Sequence, residues 1–396
     1  MHIERGVHGN RTVVREHNGA RVVTTGRHGG YVQRAYVSRG GHSYYSRTYY
    51  RNGVYHTGVY RGYYYGGYHY YGYYHPYYYG PAYYGWAYNP WPGPGIYWGV
   101  GAWGWGGAPW YGYYGAYFTP YPVYPSAAFW LTDYLISANL QAAYAAQAEA
   151  NASAAANANA AAANANAAAA NANNAAAGDA SADNGGGQAS GGGQVALSPE
   201  VKQAIAEEVK AELAAQQAEA GKSGAAGGGA AAGGAATGGA EAQEVPPALD
   251  PARRTFVVSS DLTVVADGNE CSLTQGDVIT RLTDTPDADQ KVNASVSASK
   301  KSDCGAGKVV AVSVDDLQEM HNHFQESLDA GMKSLAEKQG TNGMPKSPDP
   351  KTTAADIQAP PPDTTAGKTI DQQNSDADQA ETEAKQDASA NNSGGK

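Results

Sequence analysis

Residues 62–80 read GYYYGGYHYYGYYHPYYYG: eleven tyrosines, five glycines, two histidines and one proline. How this stretch is read decides the fold. Glycine and proline recur too often for a helix or strand of ordinary length, so residues 62–126 read as a Tyr/Gly/Trp-rich low-complexity region. Its remainder includes YYGWAYNPWPGPGIYWGVGAWGWGGAPWYGYYGAYFTPYPVYP. All 31 tyrosines lie between Tyr31 and Tyr144, and all seven tryptophans between Trp86 and Trp130. Residues 62–132 carry no charged side chain, yet contain no run of eighteen aliphatic residues, so no transmembrane helix is expected. Rings with polar tips suit a membrane surface or another protein instead.

Upstream, residues 1–61 hold ten arginines, no lysine, and only Glu4 and Glu16, a formal +8. The whole chain is at −10, which leaves −18 for the rest. A basic arm and an acidic body of this kind either attract each other or bind separate partners. Eight of the ten histidines precede residue 76, so the arm gains positive charge as pH falls. Within Thr12–Thr25, two β-branched runs flank Asn18-Gly19, and Asn52-Gly53 repeats the signal; Asn-Gly supplies the positive φ of a tight hairpin turn. Residues 1–61 therefore read as a basic β-hairpin arm, marginal by itself because aliphatics are few. The opening MHIERGVHGNRTVV has no apolar leader segment, and the expectation is a chain that starts downstream of its true beginning.

Downstream, residues 127–178 begin with an amphipathic helix carrying Trp130, Leu131, Tyr134, Leu135 and Leu140, followed by AAANANA repeating every seven residues. That repeat is either a solvated spacer or an alanine-faced coil with a second chain. Residues 179–197 are a Gly-rich linker. Residues 198–220 form a helix with Ser198 as N-cap, Pro199 in first position and Glu200 in the first turn; Leu197, Val201, Ile205, Val209 and Leu213 make a narrow apolar stripe. Residues 221–250 are a Gly/Ala linker, and residues 340–396 an acidic tail expected to be disordered.

Residues 251–339 form the one expected globular module. QKVNASVSAS alternates as a half-buried strand, KVVAVSV follows as another, and Leu317, Met320, Phe324, Leu328, Met332 and Leu335 line one side of a helix that Asp315 or Asp316 can cap. Both cysteines, Cys271 and Cys304, fall here; they read as a disulfide in an oxidising compartment, with two reduced thiols in a cytoplasmic protein as the alternative. The strand order, the LTQGDVI turn and the closing VAVSVDDLQEM resemble a bacterial SH3-like β-barrel followed by a helix. The ring cluster that grips proline-rich peptides in signalling SH3 domains has no counterpart. YYGWAYNPW, the run from GGAPWYGYY to LQAAYAA, and LSPEVKQAIAEEVKAEL are together similar to a family of uncharacterised bacterial proteins generally predicted to be exported. The resemblance implies no activity. The expected fold class is thus a mostly disordered, low-complexity chain with one small all-β SH3-like module and its helix, isolated helices, and the hairpin arm.

No catalytic signature survives inspection. Gly99-Val100-Gly101-Ala102-Trp103-Gly104 has a dinucleotide-loop string without the strand before it or the helix after it. Gly221-Lys222-Ser223 lacks the glycine six positions before the lysine, where Gln216 stands. His321 and His323 diverge on a helix, and read as solvated residues. No cofactor, metal ligand or enzymatic activity is expected. The leading functional expectation is a structural or adhesive protein, secreted or in the cell envelope, that associates with itself through Tyr63, Tyr64, Tyr65, Tyr70, Tyr71, Tyr77, Tyr78, Tyr79, Trp103, Trp105 and Trp110. The alternatives are an envelope module whose barrel binds cell wall or a protein partner, and weak nucleic-acid binding by the arm in a cytoplasmic protein.

Overall fold

The computed structural model describes residues 1–5, 11–17, 19–25, 29–51, 54–172, 196–225, 243–301 and 304–393. Asn18, Asn52 and Gly53, most of the two Gly-rich linkers and the end of the Ala/Asn repeat lie outside the described residues.

Strands β1 (His2–Arg5), β2 (Arg11–His17), β3 (Ala20–Thr25), β4 (Gly29–Arg39), β5 (His42–Arg51), β6 (Val54–Tyr65) and β7 (Tyr68–Tyr74) pair each with the next as an antiparallel half-barrel. The arm's meander thus runs on through the tyrosine-rich stretch. Gly66 and Gly67, at φ of 60° and 89°, turn the chain between Tyr65 and Tyr68, which are paired across the hairpin. Both torsions favour glycine and suit the tight turn of a twisted hairpin. Gly62 and Gly72, which had read as interruptions, sit beneath rings: a Cβ on Gly72 would lie 2.8 Å from Tyr63 Cε2, and one on Gly62 2.9 Å from Tyr45 Cε2. The glycines make room for the rings that cover them.

After Pro76, β8 (Tyr77–Tyr79) leads into short helices α1 (Pro81–Tyr88), α2 (Val100–Trp103) and α3 (Pro109–Tyr114), then the long α4 (Ala127–Ala172) and α5 (Pro199–Ala225). Ser198 Oγ accepts from the Val201 amide at 3.3 Å, fixing the start of α5. A six-stranded antiparallel sheet follows, from β9 (Thr255–Val257), β10 (Leu262–Ala266), β11 (Asn269–Leu273), β12 (Val278–Arg281), β13 (Lys291–Ala298) and β14 (Val309–Ser313), ordered β11-β10-β14-β13-β12-β9. Helix α6 (Val314–Lys338) begins at Ser313, whose hydroxyl accepts from the Asp316 amide at 3.0 Å. The cap is therefore Ser313, whose hydroxyl also donates to the Asp316 carboxylate, and neither Asp315 nor Asp316 as expected.

The expectation of a mostly disordered chain with one small SH3-like module is overturned. The six-stranded sheet does not stand alone, because α6 leaves it to lie against one face of the seven-stranded sheet, where Asn322 binds the edge strand β7. Its amide donates to Tyr71 O at 2.7 Å and its Oδ1 accepts from Tyr73 N at 2.8 Å, so a side chain completes the ladder. The tail is ordered too. β15 (Thr352–Ala354) pairs with β8, and α7 (Ala366–Ser393) covers the opposite face of the seven-stranded sheet, burying Ala366 and Ile370 against Ala20, Val22 and Val32. Gln373 Nε2 reaches both Val13 O and Val22 O. The helices are likewise not isolated: Leu131, Leu135 and Leu140 of α4, Ile205, Val209 and Leu213 of α5, and Phe324, Leu328, Met332 and Leu335 of α6 share one core. The stripe on α5 has its partner within the chain.

Rings supply the volume that the few aliphatics lacked. Trp98, Trp130, Tyr60, Tyr83, Tyr84, Tyr117, Phe118 and Tyr124 are among the largest fully buried side chains. Each such ring removes about 150–250 Å² from water, more than any aliphatic chain.

Candidate functional site

The face of the seven-stranded sheet beneath α6 concentrates the chain's polar chemistry. At its centre Arg47, on β5, is fully buried, with its guanidinium 4.3 Å from the Tyr31 centroid and 4.1 Å from that of Tyr60. It donates in bidentate fashion to Glu319 of α6 at 2.7 and 2.8 Å, and to Gln33 Oε1 at 2.5 Å. A planar guanidinium between two rings, with a carboxylate in its plane, uses geometry that lysine lacks. Two turns along α6, Tyr60 donates to the Glu326 carboxylate and lies 3.0 Å from the Tyr49 hydroxyl. Burial pushes the Glu326 carboxyl up to about 7, against the hydrogen bond from Tyr60 and the charge of Arg47.

Further along, His75 Nδ1 meets Asp329 at 2.9 Å, and Tyr73 OH donates to the same carboxylate at 3.2 Å. Burial disfavours the charged imidazole, but Asp329 outweighs it and raises the His75 pKa. His321 is buried rather than solvated; desolvation, aided by the charges of Arg253 and His75, holds it well below the ordinary imidazole value.

At the opposite end of α6, Arg21 pairs with Asp315 at 2.9 Å and lies 5.8 Å from the Tyr71 centroid. There the face opens into a cavity of about 350 Å³, lined by Glu16, Arg21, Tyr45, Tyr68, His69 and Tyr71 beside the Gly66-Gly67 turn. Tyr45 and Tyr71 meet edge to face, centroids 4.8 Å apart. Tyr68, at the hairpin tip, is 53% exposed.

Four further arginines of the sheet are matched among the described residues: Arg15 with Asp376, Arg34 with Asp363, Arg39 with Asp356 and Arg61 with Glu244. These acids come from the C-terminal half, so the basic arm and the acidic body close on each other. Two buried pairs dock the ring-rich segment. Lys202 reaches Asp133 at 2.8 Å beneath Tyr121, and Asp133 also accepts from Tyr124 OH at 2.7 Å. Burial raises the Asp133 pKa and lowers that of Lys202. Lys300 meets Asp277 at 2.7 Å in the LTQGDVI turn, where Tyr117 donates to Gly276 O at 3.1 Å.

Of the eleven rings expected to associate between chains, Tyr70, Tyr71, Tyr78, Tyr79, Trp105 and Trp110 are buried, and Tyr63, Tyr64, Tyr65, Tyr77 and Trp103 half-buried. Trp103 stacks between Trp105 and Trp130, 4.5 Å from each, and Trp130 continues the row to Tyr134 at 5.5 Å. Tyr70 enters the core of the six-stranded sheet and donates to Gln290 Oε1 at 3.0 Å. Burial pushes Tyr63 and Tyr70 up to about 12. Cys271 and Cys304 form a disulfide, with Cα atoms 5.3 Å apart.

Arg47, Glu319, His75 and Asp329 were not singled out in the sequence; the one signal for them was the partition of charge between the two ends. Among the described residues, no cluster of metal-ligating side chains is present and no helix is long and apolar enough to cross a membrane. No family model matches the chain, and neither the curated proteins nor the solved structures include a detectable match.

Proposed function

We propose that the chain is a non-enzymatic structural protein of the cell envelope or exterior, a rigid scaffold that binds envelope material and copies of itself. The observation that carries this reading is the mutual closure of arm and body. Six arginines of the N-terminal sheet engage carboxylates of the C-terminal half, and only Tyr36, Tyr68 and Tyr97 among the tyrosines are exposed. Association then falls to those three rings and the open end of the sheet, since the eleven rings first considered already have partners within the chain. The same closure weighs against nucleic-acid binding through these six arginines, because phosphate contacts need free cations. The Cys271–Cys304 disulfide supports an oxidising compartment.

The test is cell fractionation combined with alkylation of the cysteines before and after reduction, followed by ultracentrifugation of the full chain. The expected result is protein in the envelope or medium, cysteines that react only after reduction, and concentration-dependent association weakened by replacing Tyr36, Tyr68 and Tyr97 with serine. A cytosolic protein with two freely reactive thiols would sink the proposal.

A further inference from the structure

We infer that the open end of the seven-stranded sheet is a binding site for a neutral sugar ring, the terminal or exposed unit of an oligosaccharide. The inference rests on the envelope reading only for the source of that sugar. The cavity, about 350 Å³, is at the small end of the range for ligand sites, roughly 300–1,000 Å³. Two rings that meet edge to face form its wall, Tyr45 from β5 and Tyr71 from β7, and His69, two residues from Tyr71, borders it on the same side of β7. The two tyrosines offer flat apolar surface together with phenolic hydroxyls that donate and accept. Glu16 on β2 adds an acceptor at the rim, and Arg21 on β3 adds donors held in place by Asp315. Rings beside a fixed donor and a fixed acceptor match a molecule with apolar C–H faces and hydroxyls around its edge.

The charges narrow the class. A cationic ligand seeking an aromatic cage would meet the Arg21 guanidinium, which already lies 5.8 Å from the Tyr71 centroid. An anion would approach Glu16 at the rim and Asp315 behind Arg21. A purely apolar ligand would strip water from Glu16, Arg21 and His69 without replacing their hydrogen bonds. A neutral polyol avoids all three costs. His69, whose ring is 5.0 Å from that of Tyr64 on the paired strand, lies on the same face of β7 as Tyr71.

Isothermal titration of the full chain with cellotriose, maltotriose and tri-N-acetylchitotriose, and with choline as the cationic probe, tests the assignment. At least one trisaccharide should bind in the millimolar range or tighter. His69→Ala and Glu16→Gln should each weaken that binding at least threefold; both residues line the cavity and are exposed, so the variants keep the parent's near-ultraviolet circular dichroism. The site is overturned if no trisaccharide binds up to about 10 mM, if both variants bind as the parent does, or if choline binds in place of the sugars. Those results leave the cellular location untouched, whereas a cytosolic location with reduced cysteines would overturn the envelope reading and leave the titration standing.

Discussion

At the scale of single residues, the sheet is organised around charges that water does not reach. Arg47 is the sharpest case, because its guanidinium is stacked between Tyr31 and Tyr60 and bound twice by Glu319. Arg47 is fully buried while Glu319 is 30% exposed, so truncating the arginine leaves a part-solvated carboxylate and an unfilled space between two rings, a cost of about 2–5 kcal/mol. Arg47→Ala should lose stability of that order in urea denaturation. Arg47→Lys should recover less than half of the loss, since an ammonium restores the charge without the fork or the stacking plane; full recovery by lysine would show that charge alone matters. Glu326 predicts a pH dependence. Its folded pKa, about 7, lies above the ordinary value of 4.5, so the folded state holds the proton more tightly. Its contribution is intact below about 4.5 and declines as pH rises towards 7. His75 acts in the same direction: its folded pKa is raised by Asp329, so the benefit of the charged pair is present below the unfolded value and fades as pH rises through the folded one. Glu326→Gln keeps an acceptor for Tyr60 and cannot ionise. It should raise stability at pH 8 by about 1–2 kcal/mol, leave it unchanged at pH 4.5, and flatten the melting-temperature profile between them in scanning calorimetry.

Among the elements, the β6–β7 hairpin shows why the tyrosine-rich stretch was misread. Glycine in a strand ordinarily weakens it, and counted by residue type, residues 62–80 look too broken to pair. Register changes the meaning. Gly72 lies opposite Arg61 and beneath Tyr63, and Gly62 lies opposite Tyr71 and beneath the Tyr45 ring. A Cβ at Gly72 would meet Tyr63 Cε2 at 2.8 Å and Pro247 Cγ at 3.6 Å, so Gly72→Ala should cost roughly 1–3 kcal/mol through overpacking. A neutral or stabilising result would mean that the Tyr63 ring moves freely. What could be read locally was read well enough: the pairing of β2 with β3, the Ser198 cap, and the apolar stripe of α6 each depend on residues a few positions apart. What could not be read depends on contacts hundreds of residues apart, such as Arg21 with Asp315 or β15 with β8. The acidic tail lacks periodicity because α7 buries little more than Ala366, Ile370 and Ala377 as apolar residues and anchors itself through Gln373 and Asp376. The mouth of the sheet was hidden for the same reason: Glu16, Tyr45 and Tyr68 converge only once the meander is formed. The Cys271–Cys304 link, spanning 33 residues, is a local matter of the six-stranded sheet, and Cys271→Ser with Cys304→Ser should lower stability by about 3–4 kcal/mol. Equal unfolding midpoints with and without reductant would count against that.

For the whole molecule, the arrangement is a sheet held between two C-terminal elements, and each covers a face that would be costly to expose. On one side α6 supplies Glu319, Asn322 and Glu326 to buried arginine, backbone and tyrosine groups. On the other, residues 355–373 bury Ile357 against Tyr44 and Val59, and Ile370 against Val22 and Val32. Aliphatic surface is scarce in the N-terminal sheet, so it depends on this cover more than a sheet with a full aliphatic core would. Loss of the outer cover should therefore turn an internal surface into an intermolecular one. A chain ending at residue 350 lacks β15 and α7, uncovers Val22, Val32, Tyr50 and Tyr55, and unpairs Arg15, Arg34 and Arg39. Apolar residues on an open sheet face promote association. The truncated chain should melt below the full chain and sediment as large, polydisperse assemblies at concentrations where the full chain gives discrete species. Adding a peptide of residues 351–393 in excess should restore both the melting temperature and the sedimentation profile, since its carboxylates face the sheet's arginines. If the truncated chain sediments and melts as the full chain does, the tail contributes nothing to the closure of arm and body, and the scaffold proposed here loses its outer wall.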